Sequence, residues 1–534
     1  MTLRDKGPNQ IAFWVLALII GIAAGAAALG FRVAIAELQS LFYGADDKTL
    51  ATTLGTLGWQ WVMGIPIVGG LAVGLILWVF TPNGQSVAVS DVIHGAAMTH
   101  GRVSKRIGLA SAVASLITLS TGGSSGREGP VVHLAAVISS WVSNRIKASD
   151  ITARDLMGCA VAAAVSASFN APLAGTIFAL EVVLRHFAVH AFAPIVIASV
   201  AGTVVSRLQM GNVTEFILPT TPIAFHIELP AFLILGLVSG LVAYALIRAI
   251  FIAEDWGDAL QKTTRIPTFL RPAIAGALLG AIALYFPHII GVGYETTSFA
   301  LTGQLLLREA FVFAVIKVIA VAITFGGRMG GGVFSPSLML GALTGLTFGL
   351  IATMLFPSVS GTQTIYALAG MAAVSAAVLG APISTTLIVF EMTGDWQAGI
   401  AVMVSVSLAS ALTSRLVDRS FFLTQLERRS VHLAAGPQEY LLSTINVHTL
   451  VHLLDKGKNI EQSQYLKLIE QGIHVDITET LETALSKLET AEDDYLPVIK
   501  QAENGPEFLG VLYLIDALRA YNQALAAIAS EEHS

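Results

Sequence analysis

Along the chain, long apolar runs separated by short polar breaks continue from Ile11 to about Ser414, after which the pattern turns polar, charged and amphipathic. Residues 61–80 (WVMGIPIVGGLAVGLILWVF) and 337–356 (SLMLGALTGLTFGLIATMLF) each run without a charge, enough helix to cross a hydrocarbon core about 30 Å thick. Other runs are short or interrupted by glycine and proline, such as 272–286 (PAIAGALLGAIALYF) and 365–380 (IYALAGMAAVSAAVLG). Segments too short to span alone predict broken or re-entrant helices beside a polar path. The first apolar run follows MTLRDKGPNQ with no small-residue cleavage site, so it reads as a retained span rather than a signal peptide.

Composition agrees with this pattern. Of 534 residues 54% are hydrophobic and 12% charged, against about 25% charged in an ordinary soluble domain, and the mean hydropathy is +0.72. These values indicate a multispanning membrane protein. Arg4 and Lys6 before the first span, and Arg415, Arg419, Arg428 and Arg429 after the last, place both termini in the cytoplasm by the positive-inside rule. Cys159, the single cysteine, excludes an internal disulfide framework. The net charge of −6 is small, and no nucleic-acid partner is expected. An intramembrane enzyme would need a catalytic constellation, and the chain has no HExxH, no paired aspartates within spans and no GxSxG with a histidine partner. No metal site and no cofactor are expected.

Two internal matches organise the apolar region. AVSASFNAPLAGTIFALE (164–181) resembles AVSAAVLGAPISTTLIVFE (373–391), with the Ala-Pro pairs and terminal glutamates both 210 positions apart. GGSSGREGP (122–130) matches GGRMGGGVFSP (326–336), with the prolines 206 apart. A tandem duplication follows, with repeats over roughly 60–210 and 270–420; whether they run parallel or inverted is not contained in the match.

In both glycine-rich motifs a proline precedes a helix-like apolar run, and proline at the first helical position loses no hydrogen bond. Each motif therefore reads as a loop entering a helix N-terminus, where unpaired N–H groups and the dipole favour an anion. Two such ends facing one point would hold a desolvated anion without a fixed full charge, which suits an ion that has to leave again. The glycines alone would also serve close helix packing. Glu128 tips the balance, because a carboxylate at membrane depth costs roughly 2.5–3.5 kcal/mol on insertion scales and marks function.

GREGP, GGVFSP, the two Ala-Pro helices and the polar tail together resemble the CLC family of chloride channels and chloride/proton exchangers. The resemblance implies an all-α membrane fold of inverted repeats with broken helices, a homodimer with one anion pathway per subunit in the plasma membrane of a prokaryote, and transport of chloride and other monovalent anions, with protons in an exchanger. It implies that Glu128 is the gate whose carboxylate competes with the anion. Gly126, Arg127 and Gly129 around it, and Gly332, Val333 and Phe334 of the second motif, are then the anion-binding backbone. An ungapped count from the two motifs puts Val87 where the family has a serine ligand and Phe422 where it has a tyrosine, with Ser86 and Ser90 as replacement hydroxyls. Val182 stands where exchangers carry an internal proton-transfer glutamate, beside Glu181, which reads as a structural carboxylate like Glu391 and, as the alternative, is near enough to be a rerouted proton acceptor. His133 is the other candidate relay, more simply read as a packed neutral side chain. Together these departures point to a passive channel, with a proton-coupled antiporter as the alternative; an unrelated secondary transporter fits the repeats but not the paired motifs.

The membrane domain is expected over 1–425, a linker or degenerate half-domain over 426–470, and a small cytoplasmic α/β domain over 471–534. The last reads as helix, strand YLPVI, turn AENG, strand FLGVLYL and helix, similar to a CBS module. Nucleotide-binding CBS copies hold ribose with a hydroxyl three residues before an aspartate; here Tyr513 precedes Asp516, so a structural role is expected rather than nucleotide sensing.

Overall fold

The computed structural model describes residues 10–185, 189–211, 216, 225–357, 362–393, 396–417, 419–429, 431, 445–453, 465, 468–469, 473–490, 494–502 and 505–532. Arg4 and Lys6, on which the N-terminal orientation rests, lie outside these residues, as does most of 432–472. Two compact units separate near Val431.

The described residues of the first unit form helices and the loops between them. After α1 (Gln10–Tyr43) and the short α2 (Leu50–Leu54) come α3 (Trp59–Phe80), α4 (Val89–Met98), α5 (Lys105–Ser120), α6 (Glu128–Ile146), α7 (Asp150–Phe169), α8 (Pro172–Phe178) and α9 (Val189–Met210). A second series follows: α10 (Phe225–Thr264), α11 (Arg271–Ala283), α12 (Tyr294–Leu301), α13 (Leu307–Gly326), α14 (Phe334–Leu355), α15 (Gln363–Leu379), α16 (Pro382–Thr393) and α17 (Trp396–Leu416), closed by α18 (Phe421–Glu427). Among the described residues, seven helices are long and apolar enough to cross a membrane. Several others are shorter than a bilayer, as the interrupted runs predict.

The run α3–α9 recurs as α11–α17, and local chemistry recurs with it. α7 ends on Asn170 (φ +57°) and α15 on Gly380 (φ +69°), both left-handed, and Pro172 and Pro382 then open α8 and α16. A left-handed stop followed by proline turns the chain sharply, because neither residue continues the preceding helix.

Three contacts between the halves are reciprocal. Glu181 accepts from the N–H groups of Ile383 (2.9 Å) and Ser384 (2.8 Å) at the start of α16, while Glu391 accepts from Leu173 (3.0 Å) and Ala174 (2.8 Å) at the start of α8. Gly276 packs so closely on Pro66 O that an added Cβ would stand 2.0 Å from it, and Gly70 on Pro272 O at 2.2 Å. The third is the bridge between the two glycine-rich loops described below. When i meets j and j meets i, the relation is two-fold. Since the C-terminal end of each copy caps the N-terminal end of the other, α8 and α16 are antiparallel and the repeats are inverted.

The second unit holds a four-stranded sheet of order β1-β4-β3-β2, built from β1 (His452–Leu453), β2 (Val475–Asp476), β3 (Tyr495–Ala502) and β4 (Gly505–Tyr513). β3 and β4 form an antiparallel hairpin, and β2 runs parallel to β3 across the crossover helix α19 (Leu481–Thr490). The amphipathic α20 (Leu514–Glu532) follows β4. Val475, Leu488, Leu496, Val498, Leu512 and Ala517 form its buried core. The sequence reading missed β2, whose two residues are stabilised by pairing with Val498 and Ile499 rather than by any local periodicity.

Candidate anion site between two helix ends

The two glycine-rich loops meet back to back. Gly126 N donates to Gly332 O at 2.7 Å and Gly332 N to Gly126 O at 2.8 Å, an antiparallel bridge across the duplication. Gly331 holds φ +142° with Ser125 Oγ 2.0 Å from where a Cβ would be, so only glycine permits this approach. One residue beyond the bridge, Arg127 and Val333 take matching αR conformations (φ −84° and −91°) as the caps of α6 and α14, and neither cap side chain closes the helix end. Two helix N-termini are thereby fixed side by side, one from each half.

A cavity of about 30 Å³ lies at this junction. Its wall includes Glu128, Gly129, Gly332, Val333 and Phe334, with Ala88 and Val89 from the start of α4 and Phe422 from α18. Phe334 packs against Phe169 at 4.9 Å between ring centres, and Phe422 meets Phe421 edge-on. Phe422 therefore stands in the wall without a hydroxyl. Val87 does not line this cavity; its N–H donates to Ser111 Oγ at 3.0 Å, and Ala88 takes the wall position one residue on. Asp91 Oδ2 accepts the Ala88 N–H at 3.0 Å, which sets where α4 begins. No hydroxyl side chain lines the cavity among the described residues.

Ser86 and Ser90 instead border a wider polar vestibule of about 200 Å³, which shares Ala88, Phe325, Gly331 and Gln425 with the inner cavity. Arg271, Arg328, Arg428 and Arg429 surround it, each paired: the first two share Asp258, Arg428 meets Asp255, and Arg429 meets Asp91 at 2.8 Å. Pairing keeps this mouth polar without leaving bare positive charges to trap an anion.

Glu128 is buried, 5% exposed. Ser335 Oγ, from the first turn of α14, lies 2.5 and 2.6 Å from its two carboxylate oxygens, and Tyr294 Oη, from the start of α12, donates to Oε1 at 3.2 Å. Arg127 is less closely engaged, its Nε 4.0 Å from Oε1 and its guanidinium 4.7 Å above the Tyr294 ring. The carboxylate is thus seated chiefly by hydroxyls of the opposite half. Sequence reasoning named neither: Ser335 stood within the quoted GGVFSP, while Tyr294, after Gly293 (φ +89°), carried no local signal. Val182 is buried, and Glu181 spends its oxygens on the α16 amides. His133 is buried with Nδ1 3.3 Å from Ala88 O.

Comparison with known proteins places this geometry. The family model for voltage gated chloride channels matches residues 69–414. A putative chloride channel protein ClcB-like from Ralstonia nicotianae is 30% identical over 394 residues, covering 73% of this chain and 91% of its own. A slow cyanobacterial Cl−/H+ antiporter shares the fold with a TM-score of 0.69 at 22% identity, over 78% of this chain and 97% of its own. A eukaryotic CLC transporter does so at 0.68 and 17%, over 94% and 97%. With its reciprocal repeats, paired helix ends and matched span, the chain belongs to the voltage gated chloride channel family.

Proposed function

We propose that this protein, an integral membrane anion transporter by family, conducts chloride and other monovalent anions passively, with Glu128 as a plug that a proton removes. The observation that carries this reading is the seat of Glu128: a buried carboxylate at the wall of a small cavity, beside two uncapped helix ends. The ionised form occupies the place that suits an anion, and protonation weakens both its attraction to the helix dipoles and its charge-assisted hydrogen bonds. Val182 is apolar and Glu181 serves as a helix cap, which supports conduction without proton coupling.

A specific observation favours the second reading, exchange: the cyanobacterial protein of similar fold is described as a Cl−/H+ antiporter. The two are separated by the reversal potential of reconstituted protein under a pH gradient at symmetrical chloride. The expected result is a potential near zero; a potential displaced toward the proton equilibrium value establishes exchange. For the gate, Glu128→Gln is expected to remove most of the pH dependence of anion flux in liposomes, and an intact pH profile sinks that assignment. The roles of the remaining wall residues, a homodimeric assembly, cytoplasmic termini and a CBS-like structural role for the tail belong to the same proposal.

A further inference from the structure

Every arginine lining the polar vestibule is paired, yet the charges of these pairs do not balance. Arg271 and Arg328 share Asp258, Arg428 meets Asp255 and Arg429 meets Asp91, so four guanidinium groups stand against three carboxylates. Glu254 of α10, half-buried, lines the same vestibule and belongs to none of these pairs. With Glu254 ionised, the lining arginines and the carboxylates around them cancel. The vestibule adjoins the inner cavity through Ala88, Phe325, Gly331 and Gln425. Its net charge therefore acts on any anion that reaches or leaves the inner cavity by this mouth.

The wall that carries Glu254 is fixed by its neighbours. Arg271 donates through Nε to Gly326 O at 2.7 Å and through Nη2 to Glu254 O at 3.2 Å, tying α10 to the end of α13. Gly257 makes the approach possible, because a Cβ there would stand 2.2 Å from Arg271 Nη2 and 2.7 Å from Gly326 O. Arg428 is committed as well: it pairs with Asp255, and its guanidinium lies 5.0 Å from the centre of the Phe251 ring, where cation–π attraction adds to the ion pair. Across the vestibule Arg428 and Arg429 attract the Glu254 carboxylate, while Asp258 and Asp255 on its own helix repel it.

We propose that Glu254 is a valence filter: its charge cancels the surplus guanidinium charge of the vestibule, so that monovalent anions pass and multivalent anions are not held there. The inference rests on the reading of the cavity and its vestibule as the anion path. The electrostatic energy of a mobile ion scales with its charge. Removing one carboxylate therefore raises the local concentration of a divalent anion by the square of the factor for a monovalent one. For a charge in a solvated mouth that factor is about two, which gives roughly twofold for chloride and roughly fourfold for sulfate. Both gains fade with salt, as the Debye length falls from about 30 Å at 0.01 M to about 3 Å at 1 M.

The test uses the full-length chain in planar bilayers, with Glu128→Gln as the parent so that the gate charge does not enter, at about pH 8, where carboxylates are ionised. Chloride current is measured at about 0.01 M and about 1 M salt, with sulfate added to one face and then to the other. Adding Glu254→Gln is expected to raise the low-salt chloride current roughly twofold and to lower the half-blocking sulfate concentration roughly fourfold, from one face only. Both effects vanish at high salt, and Glu254→Asp matches the parent. Unchanged current and unchanged block in Glu254→Gln overturn the filter and leave conduction standing. Equal factors for chloride and sulfate, or effects that persist at high salt, belong to a structural role and overturn it as well. A parent that carries no chloride current overturns the anion path on which the filter rests. If Glu254→Gln does not insert, Gln85→Glu, which adds a carboxylate to the vestibule lining, is expected to move both values the opposite way, and no shift there overturns the filter.

Discussion

Glu181 and Glu391 close the two copies of the Ala-Pro helix, and each spends its carboxylate on backbone N–H groups of the other copy. Anionic acceptors at a helix start relieve orphan donors and meet the positive end of the dipole. Replacing either by glutamine keeps the shape and removes the charge, so each of Glu181→Gln and Glu391→Gln is expected to cost about 1 kcal/mol. That loss is read as a lower melting temperature of the detergent-solubilised protein. If Glu181 acts as a cap and not as a proton acceptor, the reversal potential under a pH gradient matches wild type in Glu181→Gln; a displaced value assigns it a role in proton movement. His133, by contrast, is buried with a carbonyl near one ring nitrogen, as a packed side chain would be.

Pairs of elements carry the architecture. The α3–α11 crossing is close because Gly70 and Gly276 each receive the backbone of the other helix, and the loops before α6 and α14 are tied by two short hydrogen bonds. Neither contact has room for a methyl group. At Gly332 an added Cβ would lie 2.9 Å from Gly129 N and 3.1 Å from Gly129 Cα, with backbone on both sides of the clash. Gly332→Ala is therefore expected to push the two helix ends apart and lower anion flux by about tenfold or more, since small displacements of positioned groups are costly. Gly30→Ala, where nothing lies within 4 Å of the new atom, serves as the control and is expected to retain wild-type flux. Equal losses in both variants would remove the loop bridge from the explanation.

On the scale of the whole molecule, every residue assigned to the anion path precedes Val431, and the sheet domain has a core of its own. A chain ending after Val431 is expected to keep its chloride flux in liposomes; loss of flux from properly inserted protein would make the tail a working part of the pathway. In the tail, Asp516 already pairs with His452 at 2.9 Å and Arg519 at 3.3 Å. Titration of ATP into the full-length protein is accordingly expected to release no binding heat. Among the described residues the lining of the inner cavity includes no side-chain hydroxyl, so discrimination among chloride, nitrate and thiocyanate is expected to be loose; strong chloride selectivity in bi-ionic potentials would count against a site built chiefly on amides.

The apolar runs, the loop-then-proline helix starts and the 206- and 210-residue spacings belong to the sequence by itself, because solvent preference, proline geometry and self-similarity are local or internal properties of a chain. The repeated PxxxG of residues 66–70 and 272–276 was equally present, spaced by the same 206 positions, though only the close crossing shows its use. Opposite orientation of the repeats was decided in three dimensions, since similarity between two segments has no direction in space. So was the choice of Ala88 over Val87 in the cavity wall, which depends on Asp91 folding back to set the first turn of α4. The partners of Glu128 also come only from the fold. Tyr294 and Ser335 lie 166 and 207 positions away along the chain, and packing of the second half against the first brings their hydroxyls to the carboxylate.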